Sequence, residues 1–214
     1  TEDLRAWSDT SVHTPGRYAV DSQWDTSAEG EGGPFRYGLV PADIADLESP
    51  DEVLRAATLI NIYEGLLAET GPGATEYLHE LVRAVPGEDN ELVLELALGQ
   101  LRTIYWTLLP EDTRNEFAPV LEQVLWETML RHEERSKRKI LFEAFAAIAL
   151  TADGLARARD VWSGAMSVDE LALGENDLIG IAQSLAVRLP DEARTIVELQ
   201  EARTKNPDNL RKLE

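Results

Sequence analysis

The sequence predicts an all-α protein, a HEAT-like α-solenoid of antiparallel helix pairs that follows a short irregular or β-rich N-terminal connector. Three observations predict this fold class. Apolar residues recur at helical spacing through most of the chain. Gly and Pro interrupt that pattern at short intervals, so that successive helices have short connections and pack as antiparallel neighbours. The chain also resembles itself at about twice the period of a HEAT-type repeat.

The first 45 residues are predicted to form an N-terminal segment and connector. Leu4 and Trp7 are three positions apart, which favours a short helix over residues 1–10. Residues 27–34 are rich in Gly and are typical of a linker. Alternating apolar residues on both sides of that linker predict two short strands, so residues 11–41 are interpreted as a poorly ordered or β-rich connector.

Residues 46–214 are predicted to form the helical-repeat domain. Ser49 is the expected cap of the first helix, and Pro50 its first residue. Pro119 predicts a kink or a restart. The helix over 134–150 is apolar nearly all round and should be the most buried. The predicted helices cover about 50–70, 74–85, 89–109, 110–129, 134–150, 151–162, 175–189 and 191–204, with a last turn from 206.

An internal repeat supports the solenoid. Residues 87–90 resemble 174–177, and residues 109–114 resemble 189–194. The starts of the two helices are 87 positions apart and their ends are 80 apart, which predicts that the first helix is two turns longer. The alternative is a coincidence between common capping residues.

The charge excludes one class of partner. The chain carries 40 acids and 20 bases, and its formal net charge is −20. Residues 1–110 hold 20 acids and 6 bases, so the acidity is concentrated there. Binding to nucleic acid needs clustered cations and is not expected. The charge favours solubility, or alternatively an acidic wall that attracts the amine of a peptide. No apolar run reaches the length of a membrane span, so none is expected. Oligomeric state and compartment stay open.

No catalytic or metal-binding motif is present. His79 begins a string like the zinc motif H-E-x-x-H, but Arg83 takes the place of the second His. His132 begins another, which has Ser136 there. Without two imidazoles on one helix face the site cannot form, so both histidines are expected at the surface. Cysteine is absent as well. We therefore expect no enzyme activity and no bound cofactor in this chain alone.

A basic cluster stands out in this acidic chain. It is interpreted either as a solvated turn between helices or as a docking surface for an acidic domain or a substrate carboxylate. Its candidate residues are Arg131, Arg135, Lys137, Arg138 and Lys139.

Three tryptophans fall on predicted helix faces among apolar residues. Large aromatic side chains in such positions usually bury most of their surface. Core packing is therefore the expected role of Trp106, Trp126 and Trp162.

Several segments resemble the aminopeptidase N family of zinc metallopeptidases. Residues 3–8 and 13–16 are similar to the end of its catalytic domain, although Ser11 replaces a common Trp. Residues 205–208 resemble a segment near its C-terminus, where Asn209 replaces a frequent Arg. The helical region of the family is resembled by residues 37–40, 56–61 and 89–95.

The resemblance implies a non-catalytic role. In that family a separate domain binds zinc, and the C-terminal helical domain walls the substrate chamber and limits which peptides enter. The β-sandwich that normally separates them has no counterpart in residues 17–34. The implied partners are the catalytic domain of the same protein and the peptide substrate. The alternative is a free-standing helical-repeat module that binds a protein. An enzyme with an unfamiliar carboxylate site is disfavoured, because the acid pairs sit where helices begin.

Overall fold

The computed structural model describes residues 43–213 in full and residues 19–21 and 38–40 as backbone. Over those residues the protein is helical apart from one pair of short strands, which confirms the all-α class. None of the described helices is both long and apolar enough to cross a bilayer. The helices are α1 (Glu52–Leu67), α2 (Ala74–Ala84), α3 (Glu91–Thr103), α4 (Glu111–Arg131), α5 (Arg135–Ile148), α6 (Ala152–Ser163), α7 (Glu175–Arg188), α8 (Ala193–Arg203) and the single turn α9 (Pro207–Leu210).

Two strands precede the helices. β1 (Ala19–Asp21) and β2 (Gly38–Val40) pair antiparallel, with Ala19 opposite Val40, and β1 lies against α1. They fall inside the predicted connector. The rest of that connector and the predicted helix over residues 1–10 lie outside the described residues.

Capping side chains explain where the helices begin. The Asp51 carboxylate accepts from the amide of Val53 at 2.9 Å and is the N-cap of α1. The prediction that Ser49 caps this helix was wrong: Ser49 ends a preceding 3₁₀ helix, Ile44–Glu48, and its hydroxyl accepts from the amide of Asp51 at 3.1 Å. Asn90 caps α3 in the same way as Asp51 caps α1, by accepting from the amides of its first turn.

Two predictions about the helices needed correction. Pro119 lies inside α4, which continues to Arg131 without the predicted restart. A π-helical turn, Ile104–Leu108, extends α3. α3 and this turn exceed α7 by about one turn rather than two, because α3 starts four residues after Gly87 whereas α7 follows Gly174 directly.

The odd-numbered helices form one layer. α1 packs on α3, α3 on α5, and α5 on α7, while α2, α4, α6 and α8 each contact an odd-numbered helix of this layer. The members of the layer run parallel. For example, Ser136 bonds Glu91 near the start of α5 and α3, and the Trp106 indole bonds the carbonyl of Ala147 near their ends. Alternate helices are therefore stacked in register.

The core lies where the odd-numbered helices meet α2, α4, α6 and α8. Its largest fully buried side chains include Tyr77, Tyr105, Phe142 and Phe145. α5 is in contact with α3, α4, α6 and α7, and most of its side chains from Leu141 to Ile148 are buried, as its all-round apolar sequence predicts. Burial of this kind contributes about 25 cal/mol for each Å² of apolar surface removed from water. The core thereby fixes α5 at the centre of the odd-numbered layer.

Candidate binding groove

A groove lies along the face formed by α3, α5 and α7. It consists of two adjoining cavities, of about 220 and about 540 Å³. Arg102, Ala147 and Ser184 line both cavities, so the two are continuous. The smaller cavity is also lined by Ala146 and Gly180, and a Cβ added to Gly180 would meet no atom within 4 Å. Short side chains on the facing helices thus leave the groove open.

The smaller cavity carries an acidic end. Lys139 Nζ lies 3.0 Å from Asp177 Oδ2 and 3.8 Å from Glu143 Oε1. The amide of Gly174 donates to Asp177 Oδ2 at 2.6 Å, so this carboxylate also caps α7. One lysine therefore serves two carboxyl groups that come from neighbouring parallel helices.

The pKa values of these two carboxyl groups are shifted in opposite directions. Desolvation, together with the hydrogen bond and the charge of Asp177, raises the pKa of Glu143 to about 7. Desolvation also acts to raise the pKa of Asp177, but the Gly174 amide and Lys139 outweigh it and hold that pKa below its usual value. Near neutral pH Asp177 is ionised, and Glu143 exchanges a proton with solvent.

The larger cavity carries a basic end around Trp106. The Arg188 guanidinium lies 4.5 Å from the centroid of the indole ring, and that of Arg114 lies 5.0 Å from it. Arg188 donates to the carbonyl of Ser184 at 2.7 Å and to the carbonyl of Ala147. The ring and the cation are both bonded to Ala147 O, which fixes their relative position.

Arg188 is desolvated without a counter-ion. Among the described residues no carboxylate forms an ion pair with it, and its Nε has no hydrogen-bond partner. Burial lowers the pKa of Arg188. The hydroxyl of the fully buried Tyr105 also has no partner within residues 43–213. Such unpaired polar atoms are rare in folded proteins and raise the energy of this end of the groove.

The predicted basic cluster does not form one open surface. Arg135 pairs with Glu170, and Lys139 with Asp177. Arg138 donates to the carbonyls of Leu130, His132 and Asp169, while Lys137 is buried and its Nζ lies 3.1 Å from Glu134. Arg131 is exposed and bonds within its own helix. Most of these cations hold neighbouring segments together.

A separate cleft, of about 620 Å³, lies beside α1 and α2. Its central charges neutralise each other: Arg55 forms two bonds with Glu88, at 2.8 and 2.7 Å. Arg83 pairs with Glu48 and Glu80 at its rim. The cleft therefore offers fewer unsatisfied groups than the groove does.

The histidines do not gather into a site. His79 is exposed on α2, and its ring lies 4.7 Å from that of Phe117. His132 is partly buried where α4 ends. Within the described residues, no three His, Asp or Glu side chains are placed to hold a metal ion. His13 lies outside those residues.

No protein family model matches this chain, and no curated protein matches it. The geometry of the groove is therefore the basis for proposing a function.

Sequence reasoning missed the residues that line this groove. Trp106 was expected in the core, yet it is only partly buried and lines the larger cavity. The one available signal was Glu143, a lone acid inside the most apolar helix, since a carboxyl group in such a place has a perturbed pKa. Arg188 gave no signal, because a cation in the last turn of a helix is common.

Proposed function

We propose that this chain is a non-catalytic, HEAT-like helical-repeat domain that holds a peptide in the groove of α3, α5 and α7. In the context of an aminopeptidase N-like zinc metallopeptidase, such a domain walls the substrate chamber and controls which peptides enter. The catalytic domain of that protein would supply the zinc. This chain contributes a binding surface.

The observation that carries the proposal is the difference between the two ends of one groove: two carboxyl groups share one lysine at one end, and the two arginines at the other end form no ion pair among the described residues. Asp177 and Arg188 lie on α7, 11 positions apart, which is about 16 Å of helix. An extended segment of about five residues covers that distance. The amine of this peptide would pair with the carboxyl groups of Glu143 and Asp177. Its acidic side chains or its terminal carboxylate would pair with Arg102 and Arg188.

The stacking of the helices supports the solenoid part of the proposal. Parallel alternate helices with a second layer behind them are the arrangement of α-solenoids, whose extended faces bind other chains. The partial likeness between residues 87–114 and 174–194 adds to this support.

Isothermal titration calorimetry on the whole chain tests the proposal. Random peptides of six to ten residues should bind, with dissociation constants in about the micromolar to millimolar range. Gly180→Leu should abolish binding, because the new side chain would fill the floor of the groove. It can be accommodated there without a clash, since a Cβ at this position meets no atom within 4 Å. Ala202→Leu is the control: Ala202 is also helical and exposed, but it lies on α8 and does not line the groove.

Two results would refute the proposal. One is the absence of binding to every peptide pool, or binding that Gly180→Leu leaves intact. The other is chelator-sensitive hydrolysis of amino-acid anilides by pure chain with added zinc, since the domain is proposed to have no catalytic site.

A further inference from the structure

We infer that the basic end of the groove binds a carboxylate attached to a small apolar group. This chemistry occurs in the last residue of a peptide and in a free apolar organic acid. The inference rests on the proposed peptide-binding function of the groove and names what one of its ends recognises.

The larger cavity is basic in a strongly acidic protein. It is lined by Arg102 and Arg188 and by no acid, although the chain has a net charge of −20. Within residues 43–213 neither arginine forms an ion pair, and Arg102 is exposed. A partly buried guanidinium without a counter-ion is costly, and an incoming carboxylate would remove that cost.

Arg188 is held ready for such a ligand. A guanidinium has five N–H donors, and the carbonyls of Ala147 and Ser184 use two of them. Stacking against Trp106 restrains its plane. Little side-chain entropy remains to be lost when a carboxylate binds. Because Nε is enclosed, a carboxylate would bond the N–H groups that are left on the two terminal nitrogens.

The remaining wall of the cavity is apolar. Leu150, Leu155 and Val187 line it together with the Trp106 ring, and Val187 is 81% exposed. A volume of about 540 Å³ falls in the range of about 300–1,000 Å³ that small-ligand sites occupy. Inorganic phosphate would leave this apolar surface in contact with water, whereas an apolar group the size of a leucine or phenylalanine side chain would bury it.

Calorimetry on the full chain at low salt tests the inference with two matched pairs. The single-residue pair is N-acetyl-leucine and its amide, and the peptide pair is acetyl-Ala-Ala-Leu and its amide. Each acid should bind at least about tenfold more tightly than its amide, because only the acid can pair with the arginines. Phosphate should not compete.

Two variants check the location of the site without touching buried residues. Arg102→Gln should weaken binding of the acids about fivefold. Val187→Glu should weaken it by at least about tenfold, because the carboxylate of the new side chain repels the ligand. The controls are Arg194→Gln and Leu199→Glu, which change exposed positions on α8 and should bind as the wild type does.

The outcomes separate this inference from the proposed function. If both tripeptides bind equally, the groove binds peptides but does not recognise a carboxylate, and the inference is wrong. If N-acetyl-leucine binds and neither tripeptide does, carboxylate recognition stands and the peptide function fails. If the tripeptide acid binds at least about tenfold better than N-acetyl-leucine, the ligand is a polypeptide terminus; equal binding indicates a free acid. Unchanged binding by Val187→Glu would also overturn the inference.

Discussion

Two groups of basic residues differ in how the fold uses them. The cluster around the start of α5 is dense in sequence, yet Arg135, Arg138 and Lys139 each bond a group in the segment 169–177. In the groove Arg102 and Arg188 lie far apart in sequence, meet in one cavity, and form no ion pair among the described residues. Local charge density therefore marks a structural junction, and the cations available to a ligand are dispersed along the chain.

The largest effect should come from Arg138 in the cluster. Arg138→Met removes the bonds to the carbonyls of Leu130, His132 and Asp169, and should lower the free energy of unfolding by about 1–2 kcal/mol. Urea denaturation followed by circular dichroism measures this. Arg131→Gln is the control, with an effect within about 0.5 kcal/mol, because Arg131 is exposed and its bonds stay within the last turn of α4. Equal losses of unfolding free energy in Arg138→Met and Arg131→Gln would contradict the structural role given to Arg138.

Arg188 should matter less for stability although it is more buried than most cations here. Arg188→Met loses two bonds to carbonyls but also removes an unpaired, desolvated charge. These effects oppose each other, so the loss should stay below about 1 kcal/mol in the same urea assay. A loss as large as that of Arg138→Met would mean that Arg188 is a structural residue.

Glu143 should give the acidic end a pH-dependent stability. Its folded pKa of about 7 lies above its unfolded value, so this group stabilises the protein at low pH and loses that contribution as pH rises toward 7. Glu143→Gln mimics the protonated form and removes this dependence. The free energy of unfolding of the variant relative to the wild type should therefore rise from pH 5 to pH 8. Urea titrations at several pH values measure it, and a flat difference would contradict the pKa of Glu143.

The smallest stability effect is expected at Arg102. It is exposed and has no ion pair among the described residues, so Arg102→Gln should leave the free energy of unfolding within about 0.5 kcal/mol of the wild type. Thermal melts measure this. A clear destabilisation would show that the fold uses this cation, and its assignment to ligand binding would then fail.

Helices were predictable because their signals are local. Asn90 and the Gly-Pro interruptions mark ends that the structure retains, and the apolar pattern of α5 indicated its burial. Ser49 misled because two capping-type residues, Ser49 and Asp51, compete within three positions, and only tertiary placement decides between them. The π-helical turn after α3 left no recognised pattern.

The groove could not be predicted, because it depends on contacts between distant residues. Glu143 meets Asp177 across one intervening helix, and Arg188 meets Trp106 across three. Sequence spacing carries no information about such pairs until the helices are stacked. The sequence indicated the basic cluster as a candidate site in place of the groove. Neighbouring cations can be recognised in a sequence whether or not the fold neutralises them.

The most direct test of the groove is backbone amide NMR of the full chain during titration with a peptide acid. If the peptide lies in the groove, amide shifts should change along α5 and α7, from Asp177 through Gly180 to Arg188, and not along the exposed faces of α4 and α8. Shifts confined to α4 and α8, or to the cleft beside α1 and α2, would contradict binding in the groove.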